Sequence, residues 1–216
     1  MSIIKNYKDI SSLISSLSKN TKLIVVTKNQ NLDNINLIVK EGHKDFGENR
    51  VQEAITKWKN LLSEDTDLNL HLIGKLQSNK AKDAFNIFKY VHTLDNIKLA
   101  KIFSDLEKSS ARKIKYFIQV NIGDESQKSG IHISEVKEFV RYCVFELKLQ
   151  IIGLMCIPPM SGDTNEYFTQ LYKLANENNL KELSMGMSND YLYALKNGST
   201  FVRIGSGIFS DKSKQS

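Results

Sequence analysis

The chain has 216 residues, enough for one well-buried core and within the roughly 200–250 residues over which an α/β barrel forms a single domain. Its 41% hydrophobic and 25% charged residues are those of an ordinary globular protein, which excludes a disordered or fibrous chain. The formal net charge of +6 comes from lysines scattered along the chain, and only four of the 30 basic residues are Arg, so no dense basic block marks a nucleic-acid surface and no nucleic-acid partner is expected.

Short apolar, β-branched runs alternate with longer amphipathic stretches, the pattern of repeated βα units around a parallel sheet. A helix at Tyr7–Ser18 precedes a first strand at Leu23–Lys28. A helix at Leu32–Glu41, a strand at Lys44–Gly47 and a helix at Asn49–Leu62 follow, then strands at Leu70–Ile73 and Tyr90–Thr93. The second half reads as helix Ile97–Lys108, strand Lys115–Asn121, helix Ser134–Glu146, strand Gln150–Met155, helix Glu166–Asn178, and strands Glu182–Met185 and Thr200–Ile204.

Eight strands in this alternation predict an α/β fold, a single (β/α)8 TIM barrel, rather than an open doubly wound sheet, because no GxGxxG follows the first strand. The barrel domain is expected to occupy residues 1–210, with a polar C-terminal tail at 211–216. Pro158 and Pro159, the only prolines, mark a βα loop rather than a linker.

Cys143 and Cys156 have neither CxxC spacing nor a zinc-type cluster, so reduced, buried thiols are expected and no metal. The N-terminus lacks a long apolar region with a cleavage site, and no run of about 18 apolar residues occurs. A cytoplasmic protein without a membrane partner is expected.

In this fold the C-terminal strand ends face the site, and residues two apart on a strand point the same way. Lys28 closes the first strand in phase with Val26 and Ile24, which places its amine at the barrel mouth; a lysine snorkelling to solvent has the same pattern. Loops after the seventh and eighth strands are the usual phosphate position. There the chain reads LSMGMSND (Leu183–Asp190) and FVRIGSGIF (Phe201–Phe209). Ser188 can supply a hydroxyl, and Gly205, Ser206 and Gly207 an amide cradle, unless the glycines only make tight turns.

Arg203 shares a strand face with Phe201 and Gly205. If that face is the interior, the buried cation needs a carboxylate or an acceptor on a ligand. Asn49 either contacts a ligand or N-caps the following helix. His43, His71, His92 and His132 have no metal-ligand spacing and are expected to be structural or exposed.

Seven segments in order carry a resemblance over nearly the whole chain. They are VVTK ending at Lys28, DFGENRVQE (Asp45–Glu53), HLIGKLQSNK (His71–Lys80), VNIGDESQKSG (Val120–Gly130), GLMCIPP (Gly153–Pro159), LSMGMSND and VRIGSGIF (Val202–Phe209). With these the chain resembles the pyridoxal 5′-phosphate (PLP) homeostasis family, also called YggS/PROSC. The resemblance implies a barrel like the alanine racemase N-terminal domain with PLP as cofactor. It implies a Schiff base on Lys28, Arg203 at the pyridine nitrogen, phosphate held by Ser188, Gly205 and Ser206, and Asn49 and Met155 lining the site. Many relatives have His where Lys75 stands, and Cys156 also varies among them, so neither receives a role.

A guanidinium at the pyridine nitrogen donates and does not readily give up a proton, which weakens the ring as an electron sink. Alanine racemases bring in a catalytic tyrosine through a second domain and a partner subunit, and this chain ends at the barrel. A monomeric PLP carrier in vitamin B6 homeostasis is therefore expected, not an enzyme and without catalytic residues, with apo PLP-dependent enzymes as further partners. The alternatives are a PLP-dependent amino-acid racemase and a lysine-dependent aldolase without PLP, which would be colourless.

Overall fold

Strands buried on both faces need no polar alternation, and the first of them, KLIVV, is exposed only at Lys22. A computed structural model describes residues 2–210 of the chain. The tail expected at 211–216 lies outside the described residues.

The strands are β1 (Lys22–Val26), β2 (Asp45–Glu48), β3 (Asn69–Leu72), β4 (Tyr90–Leu94), β5 (Lys115–Gln119), β6 (Gln150–Met155), β7 (Glu182–Ser184) and β8 (Phe201–Ile204). They close in sequence order into a parallel barrel. Closure sets Ile24 opposite Arg203 and Val25 opposite Ile204.

Alternate residues serve different layers. Leu23 and Val25 of β1, and Val202 and Ile204 of β8, join the large core beneath the helices. Ile24 and Phe201 turn inward with Tyr90, Phe117 and Met155 to form a small apolar layer inside the barrel. Helix-side packing includes Phe46 against Trp58 at 4.8 Å; burying a side chain of this class contributes about 1.5–3 kcal/mol.

The helices are α1 (Ile3–Leu17), α2 (Leu32–Lys40), α3 (Val51–Glu64), α4 (Ala81–Ile87), α5 (Ile97–Lys108), α6 (Val136–Arg141), α7 (Thr164–Glu177), α8 (Tyr191–Lys196) and α9 (Ser206–Phe209). Side-chain caps start several of them: Ser2 accepts from Lys5 N–H, Asn31 from Asn34 N–H and Asn96 from Leu99 N–H. The Ser2 cap explains why α1 begins ahead of the expected Tyr7. No helix among the described residues is long and apolar enough to cross a membrane.

Three expectations need correction. The first strand stops at Val26, and Lys28 lies beyond it in a turn, because Gln30 N–H bonds Thr27 C=O and Asn29 takes a left-handed φ of 59°. The expected helix Ser134–Glu146 is composite: a 3₁₀ turn at Ile133–Glu135, α6, and a π turn at Tyr142–Glu146. Helices α4, α8 and α9 are additional, each seven residues or fewer and too short to display a full apolar period.

Candidate active site at the barrel mouth

The βα turn after β1 is fastened to α3. Asn29 N–H donates to Glu53 Oε1 at 2.7 Å, and Lys57 Nζ donates to Thr27 C=O at 2.7 Å and to Glu53 Oε1 at 2.8 Å. Behind the turn, Glu48 is fully buried, and its Oε1 accepts from Thr27 Oγ1 at 2.6 Å and Trp58 Nε1 at 3.0 Å. Lys28 itself is exposed, at the C-terminal end of the barrel but outside the strand phase with Ile24 and Val26.

Beside it, where β8 pairs with β1, the loops after β7 and β8 meet. Ser206 Oγ donates to Ser188 Oγ at 3.0 Å, and Gly207 N–H donates to the same oxygen at 3.1 Å. Two donors thus converge on one acceptor oxygen, a geometry that an anionic oxygen also satisfies. A Cβ on Gly205 would lie 3.1 Å from both Cβ and O of Val26, so this residue is small because the end of β1 passes against it. Ser188, Gly205 and Ser206 are therefore brought together as expected from the sequence.

Arg203 is buried inside the barrel. Nη1 donates to Ser184 Oγ at 2.6 Å and Nη2 to Cys156 C=O at 2.9 Å. Burial lowers its pKa from the ordinary guanidinium value, while Cys156 and Asp190 oppose that shift. Of the two partners anticipated for this cation, a direct carboxylate is not found among the described residues; a hydroxyl and a carbonyl accept its hydrogen bonds. Met155 is fully buried in the adjacent apolar layer.

Asn49 lines a cavity of about 350 Å³ with Gly74, Lys75, Thr93, Gln119 and Asn121. Helix α3 is instead capped at Arg50, without a side-chain bond, so the capping alternative for Asn49 does not hold. Gly74 packs so closely on Asn49 that a Cβ there would meet its backbone O at 2.3 Å. Lys75, exposed beside this cavity, is the position for which the sequence assigned no role.

Two buried histidines escaped the sequence reading as site neighbours. His71 and His92 stand inside the barrel, with His71 Nδ1 2.9 Å from His92 Nε2. His92 Nδ1 lies 2.8 Å from Ser184 Oγ, and His71 Nε2 lies 3.0 Å from Asp45 Oδ1. The available signal was a polar residue between outward apolar neighbours: Leu70-His71-Leu72 on β3 and Val91-His92 on β4. His43 is half-buried, 3.2 Å from Tyr7 Oη, and His132 is exposed, 3.1 Å from Asp124.

Comparison with known proteins decides the family. The alanine racemase N-terminal domain family matches residues 2–213. A pyridoxal phosphate homeostasis protein of Synechocystis is 34% identical over 211 residues, covering 94% of this chain and 96% of that protein. The chain belongs to the pyridoxal phosphate homeostasis protein family. Its Escherichia coli member is 33% identical over 196 residues, covering 87% of this chain and 84% of its own length.

Among solved structures, PipY of Synechococcus elongatus with PLP bound superposes on this family member with a TM-score of 0.86 at 34% identity, covering 95% of this chain and 100% of PipY. Alanine racemase of Corynebacterium glutamicum gives a TM-score of 0.74 at 15% identity, over 96% of this chain and 60% of the racemase, which is a likeness of fold.

Proposed function

We propose that this protein binds PLP at the barrel mouth and serves vitamin B6 homeostasis as a carrier rather than as an enzyme. The observation that carries the reading is Arg203, a buried guanidinium at the level of the strand ends with two fixed acceptors. PLP supplies an aldehyde that bonds reversibly to amines and a ring that withdraws electrons from what is attached.

Lys28 provides the amine for a Schiff base, free to reach inward from its turn. Ser188, Gly205 and Ser206 hold the phosphate, beside the point where Ser206 Oγ and Gly207 N–H already converge on Ser188 Oγ. Asn49 and Met155 border the ring. Arg203 faces the pyridine nitrogen as a donor that keeps its own proton, so that nitrogen remains an acceptor and the ring withdraws electrons weakly. The residues of this chain therefore favour firm holding over carbanion chemistry. We expect a monomer that hands PLP to apo PLP-dependent enzymes.

The test is the absorbance of the PLP-loaded protein before and after borohydride, followed by peptide mapping. A reduced adduct on Lys28, absent in Lys28→Ala, is expected; mapping solely to Lys75 or Lys80 would overturn the assignment. Incubation with L-amino acids should yield no D-isomers or keto acids, and efficient turnover lost in Lys28→Ala would establish the racemase instead. Recovery of activity in an apo PLP enzyme mixed with the loaded protein tests delivery.

A further inference from the structure

Arg203 is buried without a carboxylate among its hydrogen-bond partners, yet an unbroken series of bonds leads from it to one. Arg203 Nη1 reaches Ser184 Oγ at 2.6 Å, Ser184 Oγ reaches His92 Nδ1 at 2.8 Å, His92 Nε2 reaches His71 Nδ1 at 2.9 Å, and His71 Nε2 reaches Asp45 Oδ1 at 3.0 Å. These residues come from β8, β7, β4, β3 and β2, so the series crosses the barrel interior. Asp45 begins β2 at the floor, its side chain 18% exposed, whereas His71 is 0% exposed. Only its lower end meets solvent.

The chemistry of the two ends fixes the direction of every bond. A guanidinium has only donors and an ionised carboxylate only acceptors. With two neutral imidazoles between them, Ser184 Oγ–H must donate to His92 Nδ1, His92 Nε2–H to His71 Nδ1, and His71 Nε2–H to Asp45. Burial lowers the pKa of both histidines, with His71 and Arg203 also lowering His92, which agrees with neutral rings. Stacking restricts their planes: His71 lies on Tyr90 at 4.2 Å and His92 on Phe117 at 4.2 Å. A polarised chain of this kind strengthens each bond in it.

We propose that Asp45, His71, His92 and Ser184 form a one-way hydrogen-bonded relay that balances and orients Arg203, making Asp45 a positioning residue for the ligand end of the barrel. The consequence for PLP rests on the function proposed above; the relay itself does not. Other charges flank the chain without entering it. Lys22 and Lys115 each stand 5.4 Å from a ring centroid, over Phe201 and Tyr90, Glu182 faces Tyr90, and Asp190 faces Arg203.

The test begins with ligand-free protein, using NMR of imidazole nitrogens and Arg203 side-chain N–H groups. Wild type should carry Nε2–H on both His71 and His92. Asp45→Ala removes the only acceptor that fixes the direction, so the His92 tautomer and Arg203 signals should shift although neither residue touches Asp45. Asp45→Asn, which keeps an acceptor oxygen, should retain both tautomers. Ser184→Ala, cutting the chain at its other end, should move Arg203 and leave His71 Nε2–H in place.

With PLP and with pyridoxal, Asp45→Ala and Ser184→Ala should both weaken binding by roughly 2- to 30-fold, in equal ratio because the effect lies at the ring rather than the phosphate. Nδ1–H on His92 in wild type, or unmoved His92 and Arg203 signals in Asp45→Ala, would overturn the relay. Shifted signals with unchanged PLP affinity would overturn its positioning role. Wild-type protein that binds no PLP, with the NMR results intact, would overturn the proposed function and leave the relay standing.

Discussion

Lys57 Nζ stands 2.6 Å from Glu48 Oε1 and 2.7 Å from Thr27 C=O, tying α3 to the residue that precedes Lys28. Glu48 is 0% exposed and Lys57 11%, and Glu48 Oε2 finds no partner among the described residues. Removing one member of a buried pair leaves an uncompensated charge, at a cost of about 3–5 kcal/mol. Lys57→Met should therefore lower the urea midpoint strongly, and adding Glu48→Leu should recover much of the loss. A single variant as stable as wild type would show that the pair does not hold the turn.

The buried histidines make stability depend on pH. The folded chain holds His71 and His92 below the ordinary imidazole value, chiefly through burial, whereas the unfolded chain titrates near 6.5. Below that pH the unfolded state binds more protons, so stability present above about 6.5 is lost as pH falls, by up to about 1.4 kcal/mol per pH unit for each group. Asp45 adds nothing in this window. Burial raises its pKa, but the His71 bond and nearby charges outweigh that and leave it below 3.8. Urea midpoints at about pH 7.5 and about pH 5.5 should differ, and the difference should shrink in His71→Asn.

The strands were legible because they are short and most carry an apolar run buried on both faces, as in Leu23–Val26 and Leu154–Met155. The meeting of the loops after β7 and β8 was legible too, since small residues there have a fixed place in this fold. Lys28 was placed in the strand because its turn depends on Asn29 φ and on Glu53 and Lys57, 24 and 30 residues away from Asn29 and Thr27. The relay was hidden for the same reason. His71 and His92 lack metal spacing, and only barrel closure brings Ser184, 92 residues from His92, to its Nδ1.

Burial pushes the thiols of Cys143 and Cys156 up to about 12, in Cys156 against the pull of Arg203. At about pH 8 the thiolate fraction is on the order of one in ten thousand, too small for appreciable attack on a thiol reagent. Both cysteines should remain unlabelled in folded protein and react on unfolding. Arg203 uses only the Cys156 carbonyl, so Cys156→Ala should leave PLP affinity within about twofold. Rapid native labelling of Cys156 would mean that the mouth opens to solvent.

Gly205 separates phosphate holding from ring holding. Its absent side chain leaves room for Val26, whose Cβ and O would each lie 3.1 Å from an added Cβ, while Ser206 and Gly207 immediately after it aim donors at the Ser188 oxygen position. Gly205→Leu must push the end of β8 away from β1 and spoil that convergence, since neither the backbone O nor the Cβ of Val26 can swing aside. Losing even one charge-assisted bond weakens binding by roughly tenfold or more. PLP should suffer that loss, and pyridoxal, which has no phosphate, should change by about twofold or less. Thermal melting of the variant controls for unfolding. Equal losses for both ligands in a folded variant would place the phosphate elsewhere in the mouth and reassign Ser188 and Ser206 to loop structure.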